Sequence, residues 1–201
     1  MPSLFFLYPV LAHIATLLHS SWPSTSNWLA WAALTVFFAV PLLPLLLQAN
    51  KRAWLLLLLV MTVLTTCALS GIERYLMYLP PIVIPLSVLV LFARSLRSGQ
   101  IPIVSRVAKQ IRGSLPPELE RYTRLVTQCW VGLLIAMALS SLLLALFASP
   151  EFWSLMTNVI QYLLLAAVFL LEYLFRRWYF RHLEHESFAT MVVALFKTRM
   201  H

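Results

Sequence analysis

Apolar residues run along this chain in continuous blocks, of which "AWLLLLLVMTVLTTCAL" is one, and do not alternate with polar positions as the strands of a membrane barrel would. A hydrocarbon layer about 30 Å thick takes about 20 mostly apolar helical residues to cross. The blocks predict six such spans, over Leu4 to His19, Trp28 to Leu47, Ala53 to Leu69, Tyr75 to Ala93, Val126 to Phe147 and Leu155 to Phe175. The first and third are the shortest and are expected to tilt least or to lie partly in the interface. Their connectors are "SSWPSTSN", "ANKR", "SGIER", a long basic insert and "ASPEFWS".

The insert "IPIVSRVAKQIRGSLPPELERYTR" follows a different rule. At 100° per residue, Ile101, Ile103, Val104, Val107, Ala108 and Ile111 fall on one half of a helix, and Ser105, Arg106, Lys109, Gln110 and Arg112 on the other. Pro102 is placed to start this helix and Gly113 to stop it. A short helix with an apolar face and a basic face suits the plane of the membrane, against anionic headgroups. After Gly113, Pro116 and Pro117 suit a first helical turn, and Glu118 and Glu120 complement its positive end. No breaker follows, so the fifth span is expected to begin a turn or two outside the membrane. The predicted fold is all-α: one membrane domain over residues 1–201, a helix bundle of six spans. Residues 94–125 form a basic cytoplasmic loop with an interfacial helix at 102–112 between the fourth and fifth spans, and residues 176–201 a cytoplasmic tail.

Composition agrees with a chain dissolved in lipid: 61% of its 201 residues are hydrophobic and 11% charged, and the mean hydropathy is +0.85, far too apolar for one soluble core. Charge then orients it. Of fifteen Lys and Arg, only Arg74 falls on the connectors opposite the insert, so the insert and both termini are expected in the cytoplasm. Trp22, Trp28, Trp54, Trp130, Trp153 and Trp178 all lie near predicted span ends, where amphipathic rings settle. The N-terminal segment lacks a basic start and a small-residue cleavage site, and reads as an uncleaved first span. Cys67 and Cys129 fall near opposite ends of their spans, too far apart for a disulfide.

Several chemistries have no residues to carry them. The four glycines show no phosphate-loop spacing, and aspartate is absent, which removes Ser-His-Asp triads and aspartyl-phosphate chemistry. No catalytic motif and no cofactor site emerge, so the chain is read as a non-enzyme. The metal candidates are His182, His185 and Glu186, which share a helical face in "RHLEHESF" but match no metalloprotease signature; a mixed polar face beside the membrane is the preferred reading. Among intramembrane polar residues, Glu172 has Arg176 one turn on, and a structural ion pair is preferred to a proton carrier. His13 is expected to bond a neighbouring helix. Pro41 and Pro44 are expected to interrupt the second span, and Pro80, Pro81 and Pro85 the fourth.

"ARSLRSGQIPIVSRVAKQIRGSLPPELERYTRLVTQCW" together with "SPEFWSLMTNVIQYLLLAAVFLLEYLFRRWYFRHLEH" resembles a family of small inner-membrane proteins encoded in bacterial aryl-polyene and xanthomonadin-type pigment gene clusters. The resemblance covers residues 78 to 186 and extends to the first three spans by hydropathy alone. It implies a Gram-negative cytoplasmic membrane and a place beside acyl-carrier-protein-dependent polyene synthesis. The label "ketosynthase" sometimes attached to the family finds no support here, since Cys129 lies in a membrane helix. Two roles compete. One is an accessory or scaffold protein whose basic face, with Arg97, Arg106, Lys109, Arg112, Arg121 and Arg124, holds anionic lipid and an acidic partner such as an acyl carrier protein, not nucleic acid. The other is a transporter or flippase for a lipid-linked polyene.

Overall fold

Alanines set how the first helices meet. Ala12 and Ala15 on one helix and Ala30 and Ala33 on the next are almost completely buried, and side chains this small let two backbones approach closely. The computed structural model describes residues 7–179, apart from the side chains of Glu73, Arg74, Ile111 and Arg112. All regular structure among the described residues is helical: α1 (Leu7–Leu18), α2 (Pro23–Leu47), α3 (Lys51–Leu69), α4 (Glu73–Leu76), α5 (Pro80–Ser95), α6 (Ile103–Arg112), α7 (Pro117–Phe147) and α8 (Pro150–Leu155), then a π-helical segment (Met156–Ile160) leading into α9 (Gln161–Tyr179).

Among the described residues four helices are long and apolar enough to cross a membrane: Pro23–Leu47, Lys51–Leu69, Pro117–Phe147 and the continuous Pro150–Tyr179, while Leu7–Leu18 and Pro80–Ser95 are shorter apolar helices. Their surfaces suit lipid. On α3, Leu55, Leu56, Leu58, Leu59 and Val63 are all exposed, a contiguous apolar face that water would not tolerate. The hydroxyls of Thr62, Thr65 and Thr66 on the same helix donate to backbone carbonyls three or four residues back, which hides them from an apolar surround.

The chain divides into two compact units, Met1–Val83 with Leu139–Leu163, and Ile84–Ala138 with Leu164–His201. In the first, Tyr8, Ala12, Ala15, Ala30, Ala33, Leu34, Leu64 and Met77 form the core. The Tyr8 hydroxyl donates to the Met77 carbonyl at 3.0 Å, which ties α1 to the connector after α4. In the second, Trp130 packs on Phe169 with ring centroids 4.4 Å apart and meets Phe92 at 6.4 Å, above buried Leu134, Met137 and Ala138.

Three local outcomes differ from the sequence expectation. Pro41 and Pro44 do not end α2, which runs through both; the cost is confined to the carbonyls of Phe37 and Val40, whose usual donors a proline cannot supply. The fourth apolar block is cut at residues 77–79, and Pro80 opens α5 instead of interrupting it, because a proline has no N–H to give a preceding turn. Trp22, Trp28, Trp54 and Trp178 are exposed as interface rings should be, but Trp130 and Trp153 are buried and belong to the packing of their units.

The caps explain two tight turns. After α2, the Ala49 N–H donates to Leu46 and the Asn50 N–H to Leu45, with Ala49 at φ 52°, the left-handed cap usually given to glycine. Asn50 then accepts from the Arg52 N–H and starts α3. Gly71, at φ 70°, takes the same place after α3.

Candidate functional sites

The sixth apolar block places polar side chains where no polar surface is needed. Ser154, Thr157, Asn158 and Gln161 fall at helical spacing on one face and are all buried. The wider π turn at Met156–Ile160 lies among them, closed by the Gln161 N–H donating to the Met156 carbonyl; such turns gather at functional positions. Ser154 Oγ lies 3.0 Å from His13 Nδ1 and accepts from Asn158 Nδ2 at 3.1 Å. One turn further, Gln161 Nε2 donates to Ser140 and Ser141, each at 3.1 Å, and the Ser141 hydroxyl donates to Gln161 Oε1 at 3.3 Å. Five neutral side chains and a histidine thus join α1, α7, α8 and α9 within the first unit. Asn158 Oδ1 is buried and has no donor among the described residues, an exception among buried polar atoms.

Beside this column lies a cavity of about 230 Å3. Its wall is drawn from four parts of the first unit: Ala15, Thr16 and His19 at the end of α1; Ser26, Asn27 and Ala30 at the start of α2; Tyr75, Met77 and Tyr78; and Pro150, Glu151 and Trp153. The Ser26 hydroxyl donates to the Ala15 carbonyl at 2.8 Å, so the 3.3 Å contact between Ser26 and His19 Nδ1 has the imidazole as donor. Tyr78 packs on Trp153 with centroids 4.3 Å apart. Trp153 is 2% exposed, and its indole N–H has no acceptor among the described residues.

The second unit carries charge. Pro102 and Gly113 flank α6, and its position against the start of α7 is fixed by a buried hydroxyl pair, Ser105 to Thr123, 2.7 Å apart. Ser105 had a place on the polar half of the helical wheel, yet it is 3% exposed; a partner on another helix overrides the wheel. Two further bonds hold the loop, the Ile103 N–H to Ser95 Oγ at 3.1 Å and Arg124 Nη2 to the Leu96 carbonyl at 3.5 Å.

Of the expected basic face, Arg97, Arg106, Arg121 and Arg124 are exposed, as is Arg94. Lys109 instead pairs with Glu120 at 2.6 Å, and the Arg112 side chain lies outside the described residues. Glu172 lies 3.7 Å from Arg176 Nε and accepts a hydrogen bond from the Tyr122 hydroxyl at 3.3 Å. Tyr122 stacks on Phe175, centroids 6.0 Å apart, which brings the hydroxyl to this acid. His182, His185 and Glu186 lie outside the described residues; among the described ones no group of three His, Cys, Asp or Glu could hold a metal ion.

Sequence reasoning missed the buried polar column, although its signal was present: Ser154, Thr157, Asn158 and Gln161 follow the i, i+3, i+4, i+7 rule that marks one helical face. Tyr122 beside Glu172 had no such signal, since fifty residues separate them. No protein-family model, curated protein or solved structure matches the chain.

Proposed function

We propose that this protein is a multi-pass protein of the bacterial cytoplasmic membrane, with six crossings and both termini in the cytoplasm, that holds an acidic soluble partner at the membrane surface. The carrying observation is the set of guanidinium groups at Arg94, Arg97, Arg106, Arg121 and Arg124, all exposed between the end of α5 and the start of α7, a stretch tied together by the Ser105–Thr123 and Ile103–Ser95 hydrogen bonds. Arginine forks on a fixed support recognise carboxylate and phosphate groups. In this reading α6 rests in the headgroup layer beside anionic lipid. The arms of α7 fit it: 31 helical residues span about 46 Å, about 16 Å more than a hydrocarbon core, enough to lift Glu118 to Arg124 clear of the layer. The resemblance to pigment-cluster proteins supports an acyl carrier protein of aryl-polyene synthesis as that partner.

The test is capture of acyl carrier protein by the full-length protein in nanodiscs, at low and at physiological salt. Retention at low salt that weakens by about tenfold at higher salt is the expected result for a contact made by exposed charges. The triple change Arg106→Glu, Arg121→Glu and Arg124→Glu should abolish it. Equal retention by that variant would remove the proposal.

A second reading, transport of a lipid-linked polyene, draws on the neutral polar column and on Asn158 Oδ1, which has no donor among the described residues. It expects Asn158→Leu or Glu172→Gln to stop export and leave precursor in the inner leaflet. Unchanged export in both variants would exclude it.

A further inference from the structure

The arginine face of the second unit stands beside the end of α9. Tyr122, Phe175 and Tyr179 form one stack, with successive ring centroids 6.0 and 5.6 Å apart. The last turn of α9 is thereby held against the arm of α7 that carries Arg121 and Arg124, both exposed. Arg106 belongs to the same surface, because the Ser105–Thr123 bond ties α6 to that arm. Residues 180–201, which lie outside the described residues, therefore leave α9 next to exposed guanidinium groups.

Their sequence supplies what such a face attracts. Two carboxylates of the unit are already engaged, Glu120 by Lys109 and Glu172 by Arg176 and Tyr122. The next two in the chain are Glu184 and Glu186, in "HLEHES", five and seven residues past Tyr179. At about 3.3 Å per extended residue they can reach about 17 and 23 Å from it, enough to meet the face. Exposed ion pairs are weak when their partners meet from solution. A short tether changes this, since it holds the carboxylates at an effective concentration on the order of millimolar, and arginine forks accept carboxylates through two parallel bonds. We propose that the segment after α9 lays Glu184 and Glu186 on Arg106, Arg121 and Arg124, so that an acidic partner gains this face only by displacing the chain's own tail. The contact stands on charge and position; the competition rests on the docking reading above.

The test uses the full-length protein in nanodiscs of phosphatidylcholine, whose headgroup has no net charge with which to occupy the arginines. Cys67→Ser and Cys129→Ser remove the native thiols, and nitroxides are attached at Ser114→Cys, exposed between α6 and α7, and at Ser187→Cys, next to Glu186. Pulsed dipolar spectroscopy at low salt should give one narrow distance between them. Glu184→Gln with Glu186→Gln should broaden it, as should Arg106→Gln with Arg121→Gln, and as should raised salt in the chain that keeps all four charges. A distance untouched by these changes would overturn the proposal. So would one altered by the glutamates alone, which would assign those carboxylates to another partner such as Arg181. Acyl carrier protein then reads the competition. It should bind the glutamate variant about threefold better, the gain expected if the tail covers the face about two-thirds of the time, and at saturation it should broaden the narrow distance. Carrier protein bound with that distance intact would overturn the competition. If neither chain binds it, the docking reading falls and the competition with it, while the distances still uphold or overturn the contact.

Discussion

The two units of this chain handle polar atoms in opposite ways. In the first, hydroxyl, amide and imidazole groups are drawn inward and bonded to one another: His13 to Ser154, Asn158 to Ser154, and Gln161 to Ser140 and Ser141. In the second, the buried hydroxyl pair of Ser105 and Thr123 lies among guanidinium groups, of Arg106, Arg121 and Arg124, that stay exposed. Neutral groups can be buried at small cost once bonded, whereas charges cannot. The first arrangement therefore suits holding helices together or holding a ligand, and the second suits meeting something outside the chain.

The largest effect that could break this comparison concerns the close contact on which the first unit depends. Ala33 has no exposed surface, so Ala33→Leu should destabilise by about 3 kcal/mol, the upper end for overpacking a core. Thermal unfolding in detergent would measure it, with alkylation read at Cys67, which is half-buried in the first unit. Earlier alkylation of Cys67 on heating is expected; an unchanged alkylation profile would show that the first unit does not depend on this contact. Next in size is Gln161→Leu, expected to cost about 1.5 kcal/mol, near the upper limit measured for hydrogen bonds between membrane helices. Combined with Ser141→Ala it should cost less than the sum of the two, because both changes remove the same bonds. Full additivity would show that the amide and the hydroxyl do not form one network.

Thr123→Val asks the same of the second unit and should cost about 1 kcal/mol, the usual worth of one hydrogen bond, because Ser105 is left buried without its partner. Adding Ser105→Ala should recover part of the loss, since removing both partners of a buried pair costs less than removing one. A chain that tolerates Thr123→Val with no shift in unfolding temperature would show that α6 is held by something other than this pair.

How much of this was legible in the sequence depends on whether the cause was local. The start of α6 at Pro102, its stop at Gly113 and the turn at Gly71 follow from residues with few backbone choices, and all can be read from the chain. The apolar blocks likewise mark the long helices. The π segment at Met156–Ile160 has no proline or glycine to announce it. Burial of Ser105, the approach of Tyr122 to Glu172 and the cavity wall all depend on residues distant in sequence. Periodicity reports which side of a helix is polar, but cannot report that a polar side has been given a partner.

The smallest change in stability carries the sharpest statement about the second unit. Lys109 and Glu120 are close, at 2.6 Å, but their side chains are 37% and 47% exposed, and a pair this open to water is worth about 0.5 kcal/mol or less. Glu120→Ala should therefore hardly move the unfolding temperature. Its effect on docking should be the opposite of a lost contact. Removing the carboxylate releases one more cation on the face that already presents Arg106, Arg121 and Arg124, and takes away a negative charge that repels an acidic partner, so affinity at low salt should rise by a few fold. Raising the salt should erase most of that gain, because exposed charges about 10 Å apart are screened at 0.1 M. Affinity that stays level in Glu120→Ala would mean that the partner does not meet this face, whatever the charge count suggests. Affinity that falls would mean that the pair's role is to hold α6 in place, and that position matters more to docking than the number of free charges.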